Sequence, residues 1–304
     1  MADLFEILIG KEGEKDYKKK PVIVQGITGK FGSFHTHQMI AYGTNIVAGV
    51  TPGKGGQKFE NVPIYETVKE AVVATSAKIS IVFVPAKFFR DAAIEALEAG
   101  IKLLIAIPEH VPVRDAMTIL ELAKNKDARM IGPNTPGIIV PGIMKIGIMP
   151  ATPFKPGRIA VLSRSGTLMY EVSHNLSVAN FGQSISLGIG GDPINGTTVI
   201  EAFDMIRKLD IDGVVVVGEI GGDAEELLAL HIIDTKFDKP VVAYIAGRAA
   251  PKEKRMGHAG AIIYGTYGSA ESKVSMYAKA NVPVAKRPAE VPMLLAGKLD
   301  GKKG

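Results

Sequence analysis

The run VIVQGITGKFGSFHTHQMI, residues 22–40, passes from a block of apolar β-formers through a glycine turn into helix-compatible sequence. Strand, glycine-rich turn and helix, in that order, open a doubly wound α/β domain. Gly26, Gly29 and Gly32 strip side chains from the turn, so the backbone could approach an anion where helix N-terminal amides point. A tight turn that binds nothing would use the same three glycines. Their spacing is G-x-x-G-x-x-G, which departs from the dinucleotide fingerprint G-x-G-x-x-G.

Outward from this run the alternation continues. NIVAGV, ISIVFVP, KLLIAIP and RMIGPN read as strands, separated by amphipathic stretches such as FRDAAIEALEAG and VRDAMTILELAKNKD. Residues 135–157, TPGIIVPGIMKIGIMPATPFKPG, are rich in Pro and Gly and lack helical period; they read as a linker or crossing loop. The alternation resumes with RIAVLS, SISLGIGG, GVVVVGEIGG, PVVAYIAG and VPVAK. Near-continuous apolar strands are those of parallel sheets covered on both faces. The expectation is an α/β protein of two doubly wound domains, residues 21–150 and 151–304, behind an N-terminal extension of residues 1–20.

Composition narrows the function classes. The 304 residues are 46% hydrophobic and 22% charged, enough for a buried core in each half. There is no Cys, which excludes disulfides, thiolate metal sites and Cys nucleophiles. The net charge of +5 suits an anionic small ligand; with no Trp and no basic stripe interleaved with aromatics, nucleic acid is not expected. The apolar stretch at the N-terminus carries acids and makes a poor signal peptide, and no apolar run approaches the roughly 20 residues of a membrane span. A soluble cytoplasmic protein is expected.

At the end of the second strand, where NAD-binding domains usually place an acid for the ribose, TPGKGGQKF offers Lys54 instead. A cation there suits a phosphorylated ribose; together with the wrong glycine spacing it argues against an NAD(P)-dependent oxidoreductase. AGVTPGKGG is no P-loop either: Ala48 replaces the first Gly, and Gly55 replaces the Ser/Thr that would hold magnesium. In the second half, RIAVLSRSGTLMYEVSHNL repeats the strand–turn–helix logic. Ser163, Ser165, Gly166 and Thr167 stand at a helix start, either as an ordinary cap or as a phosphate cradle. Glu219 closes the strand VVVVGE at the sheet edge where ligands bind, or else stands exposed in a turn. In RMGHAGAIIYG, His258 is flanked by Gly257 and Ala259-Gly260, either a flexible loop that happens to contain a histidine or a ring stripped of steric cover so that a partner reaches its nitrogen. His35 and His37, two apart, make a poor metal pair, and His110, His174 and His231 read as surface or satisfied core residues. No metal site is expected.

Taken in order, GITGKFGSFHTHQMIAYGTNIVAGVTPGKGG, RMIGPNTPGII, SRSGTLMYE, GIGGDPI, GEIGG and APKEKRMGHAGAII make the chain resemble the α subunits of succinyl-CoA synthetases over about residues 20 to 300. The resemblance implies a Rossmann-like CoA-binding domain followed by a flavodoxin-like ligase domain. It implies a phosphohistidine at His258: a nucleoside triphosphate, ATP or GTP with Mg2+, phosphorylates the ring, succinate takes the phosphoryl group, and the CoA thiol displaces phosphate. A neutral imidazole is a competent nucleophile, and small neighbours admit a bulky donor. Glu219 would orient the ring, Ser163 to Thr167 would cradle phosphate, and Tyr170 would contact the carboxylate substrate. Thr28, Gly29, Lys30, Phe31, Lys54, Ile107, Pro108 and Glu109 would hold coenzyme A.

The chain departs from the family pattern at Lys30, where Ser or Asp is common, at Pro108 in IPE, where Thr is usual, and at GPNTPG, which replaces GPNCPG. The resemblance also implies a β subunit of ATP-grasp fold that activates the nucleotide, in an αβ or α2β2 assembly. Ligases of citrate or malate share most of these motifs, and a CoA-binding module without chemistry is the alternative of another class.

Overall fold

The computed structural model describes residues 7–8, 20–248, 257–258, 260–263 and 268–301. Apart from positions 7, 8 and 20, the expected N-terminal extension lies outside the described residues. The chain divides into two units, one of residues up to 148 together with 194–197, the other of residues 149–193 and from 198 onward. In the first unit Asn195, Gly196 and Thr197 bond to Pro133 O, Gly132 O and Met130 O at 3.3, 2.8 and 2.8 Å.

The first unit runs β1 Val22–Gln25, α1 Lys30–Tyr42, β2 Ile46–Val50, β3 Lys58–Phe59, β4 Val62–Tyr65, α2 Val68–Thr75, β5 Ile79–Val82, α3 Ala86–Glu98, β6 Leu103–Ala106, α4 Val113–Asn125 and β7 Arg129–Ile131. Its strands lie in the order β3-β4-β2-β1-β5-β6-β7. All pair in parallel except the short β3, which is antiparallel to β4. Counted as parallel strands the order is 3-2-1-4-5-6, the Rossmann arrangement, with its switch point between β1 and β5. Every residue of β1, β5 and β6 is buried, as their unbroken apolar runs require. Helix α4 buries Ala116, Ile119 and Ala123, one face at helical spacing, beside Phe89, Ala93, Ala96 and Leu97 of α3 in the same core.

Residues 135–157 correct the expectation of a linker. They hold β8 Gly137–Val140 and β9 Met144–Gly147, an antiparallel hairpin, and the start of the next strand. Four residues per strand are too few to show an alternating pattern, and Pro136, Pro141 and Gly142 mask it further. The hairpin is bound to the first unit by Thr44 Oγ1, which donates to Lys145 O at 2.6 Å, and by Gly147 N, which donates to Met39 Sδ at 3.4 Å.

The second unit continues with β10 Pro156–Ser163, α5 Gly166–Val178, β11 Gln183–Gly188, α6 Val199–Ile206, β12 Gly213–Glu219, α7 Ala224–Asp234, β13 Val241–Ala246, α8 Ala270–Lys279, β14 Val284–Ala285 and α9 Val291–Asp300. These five strands are parallel and lie in the order β14-β13-β12-β10-β11. In order of appearance that is 5-4-3-1-2, the flavodoxin-like arrangement, with the switch point between β10 and β12. Both expected fold types are thus present. No helix among the described residues is long and apolar enough to cross a membrane.

One close approach holds the turn of the opening run. A Cβ at Gly32 would stand 2.2 Å from Gly26 O, so only glycine lets α1 start this close to the end of β1. Gly32→Ala is expected to lower the urea midpoint by the equivalent of roughly 1–3 kcal/mol, the usual cost of forcing a methyl into a packed contact. Gly297→Ala, in α9 with nothing within 4 Å of a new Cβ, leaves the midpoint unchanged or raises it.

Candidate active site

The strands of the second unit end along one sheet edge, where β12 finishes on Glu219 in register with Ala246 of β13. Glu219 is 6% exposed. A carboxylate so placed is costly without a partner. His258 supplies one: its Nδ1 lies 2.8 Å from Glu219 Oε2. The other oxygen, Oε1, is buried without a hydrogen bond, and Arg164 Nε stands 3.7 Å away. With Nδ1–H donating to the carboxylate, Nε2 carries the lone pair.

The hydrogen bond to Glu219 raises the His258 pKa above its ordinary value. Burial opposes that effect, the Glu219 charge adds to it, the Arg164 charge opposes it and Asp192 adds to it. The ring packs on backbone: a Cβ at Gly191 would stand 2.6 Å from His258 Cγ and Cδ2. A cleft of about 320 Å³ opens beside it, lined by Ser165, Leu168, Glu219, Ala246, Gly247 and His258 among others.

The turn between β10 and α5 closes on itself. Ser163 Oγ donates to Ser165 O at 2.7 Å and accepts from Ser165 N at 3.0 Å. Ser165 caps α5, its Oγ accepting from Leu168 N at 3.4 Å, and Gly166 and Thr167 open the helix. Ser163 therefore shapes the turn, while Ser165 faces the cleft. Tyr170 lies one turn into α5 and outside that lining; its ring meets Phe154 edge-on at 6.2 Å. Burial pushes the Tyr170 hydroxyl up to about 12, so it remains a donor at neutral pH.

The remaining sequence-derived residues belong to the first unit, on the carboxyl edge of its sheet. Thr28 Oγ1 donates to Thr51 Oγ1 at 3.2 Å, tying the β1 turn to the end of β2. Lys54 N reaches Thr51 O at 3.1 Å, so the Lys54 loop starts from the same point. Lys30 and Phe31, which follow Gly29, the N-cap of α1, are exposed, as is Lys54. Ile107, Pro108 and Glu109 follow β6, which β5 separates from β1. Pro108 O accepts from Asn134 N at 2.8 Å, and Glu109 is exposed.

Four residues enter the geometry that the sequence reading missed. Arg164 and Asp192 sit inside motifs that drew attention for their neighbours, and Gly191 stands beside Asp192 in GIGGDPI. Glu66 carried no signal at all. Its carboxylate accepts from Gly53 N at 2.6 Å and Gly55 N at 2.5 Å, folding the loop around Lys54. Those two N–H bonds, Gly53 first, hold its pKa below the ordinary value. Of the other histidines, His37 meets Glu60 at 2.6 Å and His231 meets Asp204 at 2.8 Å. His35 stacks on Phe83, its pKa lowered by burial and then by Lys145. No group of three acidic or histidine side chains able to hold a metal occurs among the described residues.

Two family models match, a CoA binding domain over residues 17–110 and a CoA-ligase over residues 162–282. Among curated proteins, the ADP-forming succinate–CoA ligase subunit alpha of Aquifex aeolicus is 50% identical over 277 residues, 90% of each chain. The protein of the same name from Methanothermobacter thermautotrophicus is 51% identical over 270 residues, 88% of this chain and 91% of its own. Among solved structures, ATP citrate lyase from Methanothrix soehngenii, in complex with citrate and coenzyme A, superposes with a TM-score of 0.83 at 22% identity. That match covers 93% of this chain, which spans half the length of the lyase chain. A dinucleotide-forming acetyl-coenzyme A synthetase of Ca. Korarchaeum cryptofilum gives 0.74 at 18% identity, over 96% and 61% of the two chains. At these identities the two structures speak for the fold alone.

Glu66 offers a direct check on the Lys54 loop. Glu66→Ala removes both charge-assisted bonds, and amide exchange at Gly53 and Gly55 should quicken roughly tenfold or more, with β2 unaffected. Unchanged exchange at both glycines would show that the carboxylate does not hold the loop.

Proposed function

The chain belongs to the family of ADP-forming succinate–CoA ligase α subunits, and from that premise we propose that it makes succinyl-CoA with His258 as the phosphoryl carrier. The observation that carries the reading is the 2.8 Å bond between His258 Nδ1 and the buried Glu219, beside the capped start of α5. In the forward direction Nε2 of His258 attacks the γ-phosphorus, and the bond to the nucleoside diphosphate breaks. Glu219 holds Nδ1–H throughout and balances the positive charge that the ring then carries. The turn from Ser163 to Thr167 sets helix amides and the positive end of the α5 dipole beside the new anion. A succinate oxygen next takes the phosphoryl group, the P–N bond breaks, and Nε2 recovers its lone pair. Coenzyme A supplies the thiol that accepts the acyl group and releases phosphate.

In this reading the first unit is the CoA-binding domain. Thr28, Gly29, Lys30 and Phe31 meet its nucleotide end, Lys54 on its Glu66-clamped loop meets a phosphate, and Ile107, Pro108 and Glu109 form the third segment. Tyr170, a protonated donor, meets the succinate carboxylate. A β subunit supplies Mg2+ and the nucleotide site in an αβ or α2β2 assembly, working in the cytoplasm. Relatives at 50% identity are named for succinate, whereas the citrate-cleaving structure is 22% identical, which favours succinate over citrate.

Incubation of the αβ complex with γ-labelled ATP is expected to give an acid-labile, base-stable phosphoprotein, lost in His258→Asn. Equal labelling of that variant overturns the reading, and CoA binding with no phosphoenzyme selects the module without chemistry.

The pH dependence has a definite sign. Nε2 accepts phosphate only when unprotonated, so phosphorylation falls as pH drops through a His258 pKa raised above 6.5. Glu219→Gln removes the largest raising contribution, so the acid limb moves to lower pH while the plateau rate drops roughly 10²–10⁴-fold. An acid limb that stays in place would contradict the pairing.

A further inference from the structure

Behind Glu219 the second unit holds a charged cluster that the reaction steps do not use. Lys273, on α8, is fully buried. An ammonium in such a place persists only if each of its protons meets an acceptor. Lys273 Nζ donates to Gly222 O at 3.1 Å, to Glu226 Oε2 at 3.1 Å and, closest of all, to Glu225 Oε2. Glu225 is 1% exposed, and its other oxygen accepts the backbone N–H of Glu219 at 3.3 Å. Glycine at 218 makes room for this: a Cβ there would stand 2.6 Å from Glu225 Oε1. Tyr277, one turn beyond Lys273, closes the cluster from the same helix, its hydroxyl pushed well above the usual range by burial and then by Glu225 and Glu226.

The cluster touches two of the supports of His258. One is the end of β12, where Glu225 grips the Glu219 backbone. The other is the Gly221–Gly222 turn, gripped at Gly222 O. Gly221, at φ +94°, packs so closely on the histidine loop that a Cβ would stand 2.0 Å from Gly260 O. A single ammonium on α8 therefore ties together the strand end that carries the carboxylate, through Glu225, and the turn that packs on the histidine loop. Replacing a buried ion cluster with apolar residues is often neutral for stability, so stability is a poor account of why three charges are kept here.

We propose that Lys273 and Glu225 form a positioning pair for the phosphoryl-transfer step, fixing where the Glu219 carboxylate meets His258. The inference rests on reading His258 as the phosphoryl acceptor. Neither residue touches substrate, and both act through Glu219.

The test uses the αβ complex, with Lys273→Met, Glu225→Gln and Lys273→Arg compared with wild type. Glu225→Gln is nearly isosteric and keeps an oxygen for the Glu219 N–H, so it reports even if Lys273→Met fails to fold. In Glu225→Gln, phosphoenzyme formation is expected to slow about tenfold, with KM for succinate and for CoA unchanged within about twofold. The acid limb of its rate profile should move to lower pH, in the direction of Glu219→Gln, and Lys273→Arg should recover part of the rate. Rate and pH profile per folded molecule equal to wild type, whatever the melting temperature, overturn the positioning role. A wild-type complex that takes no label overturns the reading of His258 and this inference with it; a labelled wild type with unaffected variants removes this inference alone.

Discussion

The contact on which the rest depends is between an imidazole and a carboxylate at the end of a buried strand. Glu219 occupies the last residue of β12, where the sheet delivers it to the edge while its flanks stay covered. Once the carboxylate is buried, its demand for a partner places His258, and the partner chosen by Nδ1 leaves the lone pair on Nε2. Arg164 and Asp192 then act on the same ring with opposite signs. The arrangement is balanced: an imidazole whose basicity is lifted by two carboxylates, Glu219 above all, and moderated by burial and by one guanidinium.

Both units build the same local motif. A parallel strand ends, a turn of small residues follows, and a helix begins with its amides toward the ligand edge. In the first unit the turn is all glycine approach, with Gly32 pressed against Gly26 O. In the second it is serine closure, with Ser163 bonded twice to Ser165. Glycine lets backbone approach backbone; serine closes its turn with side-chain bonds and holds it in one shape.

Much of this fold is legible in the sequence. Unbroken apolar runs such as VVVVGE and ISIV mark parallel strands because both faces must be covered, and the two sheets follow from them. The hairpin at 137–147 was not legible, because strands of four residues interrupted by Pro and Gly carry no period. His258 stood out because its neighbours are so small. The partnership with Glu219, 39 positions away, entered only through family likeness, since nothing local links the two. Glu66 and Lys273 were hidden for a related reason. Glu66 holds two backbone amides, and Lys273 reaches the backbone at Gly222 O and, through Glu225, at the Glu219 amide; a backbone amide or carbonyl leaves no trace in the sequence. Long-range bonds to the main chain are what a sequence conceals best.

The central claim is that Glu219 reserves Nδ1 and so directs phosphate to the other ring nitrogen. The direct measurement is a phosphorus–proton correlation spectrum of the phosphorylated αβ complex, denatured in base to preserve the phosphoramidate. The account predicts a single phosphohistidine, substituted at Nε2 of His258. Phosphate on Nδ1, or on any other residue, would contradict it.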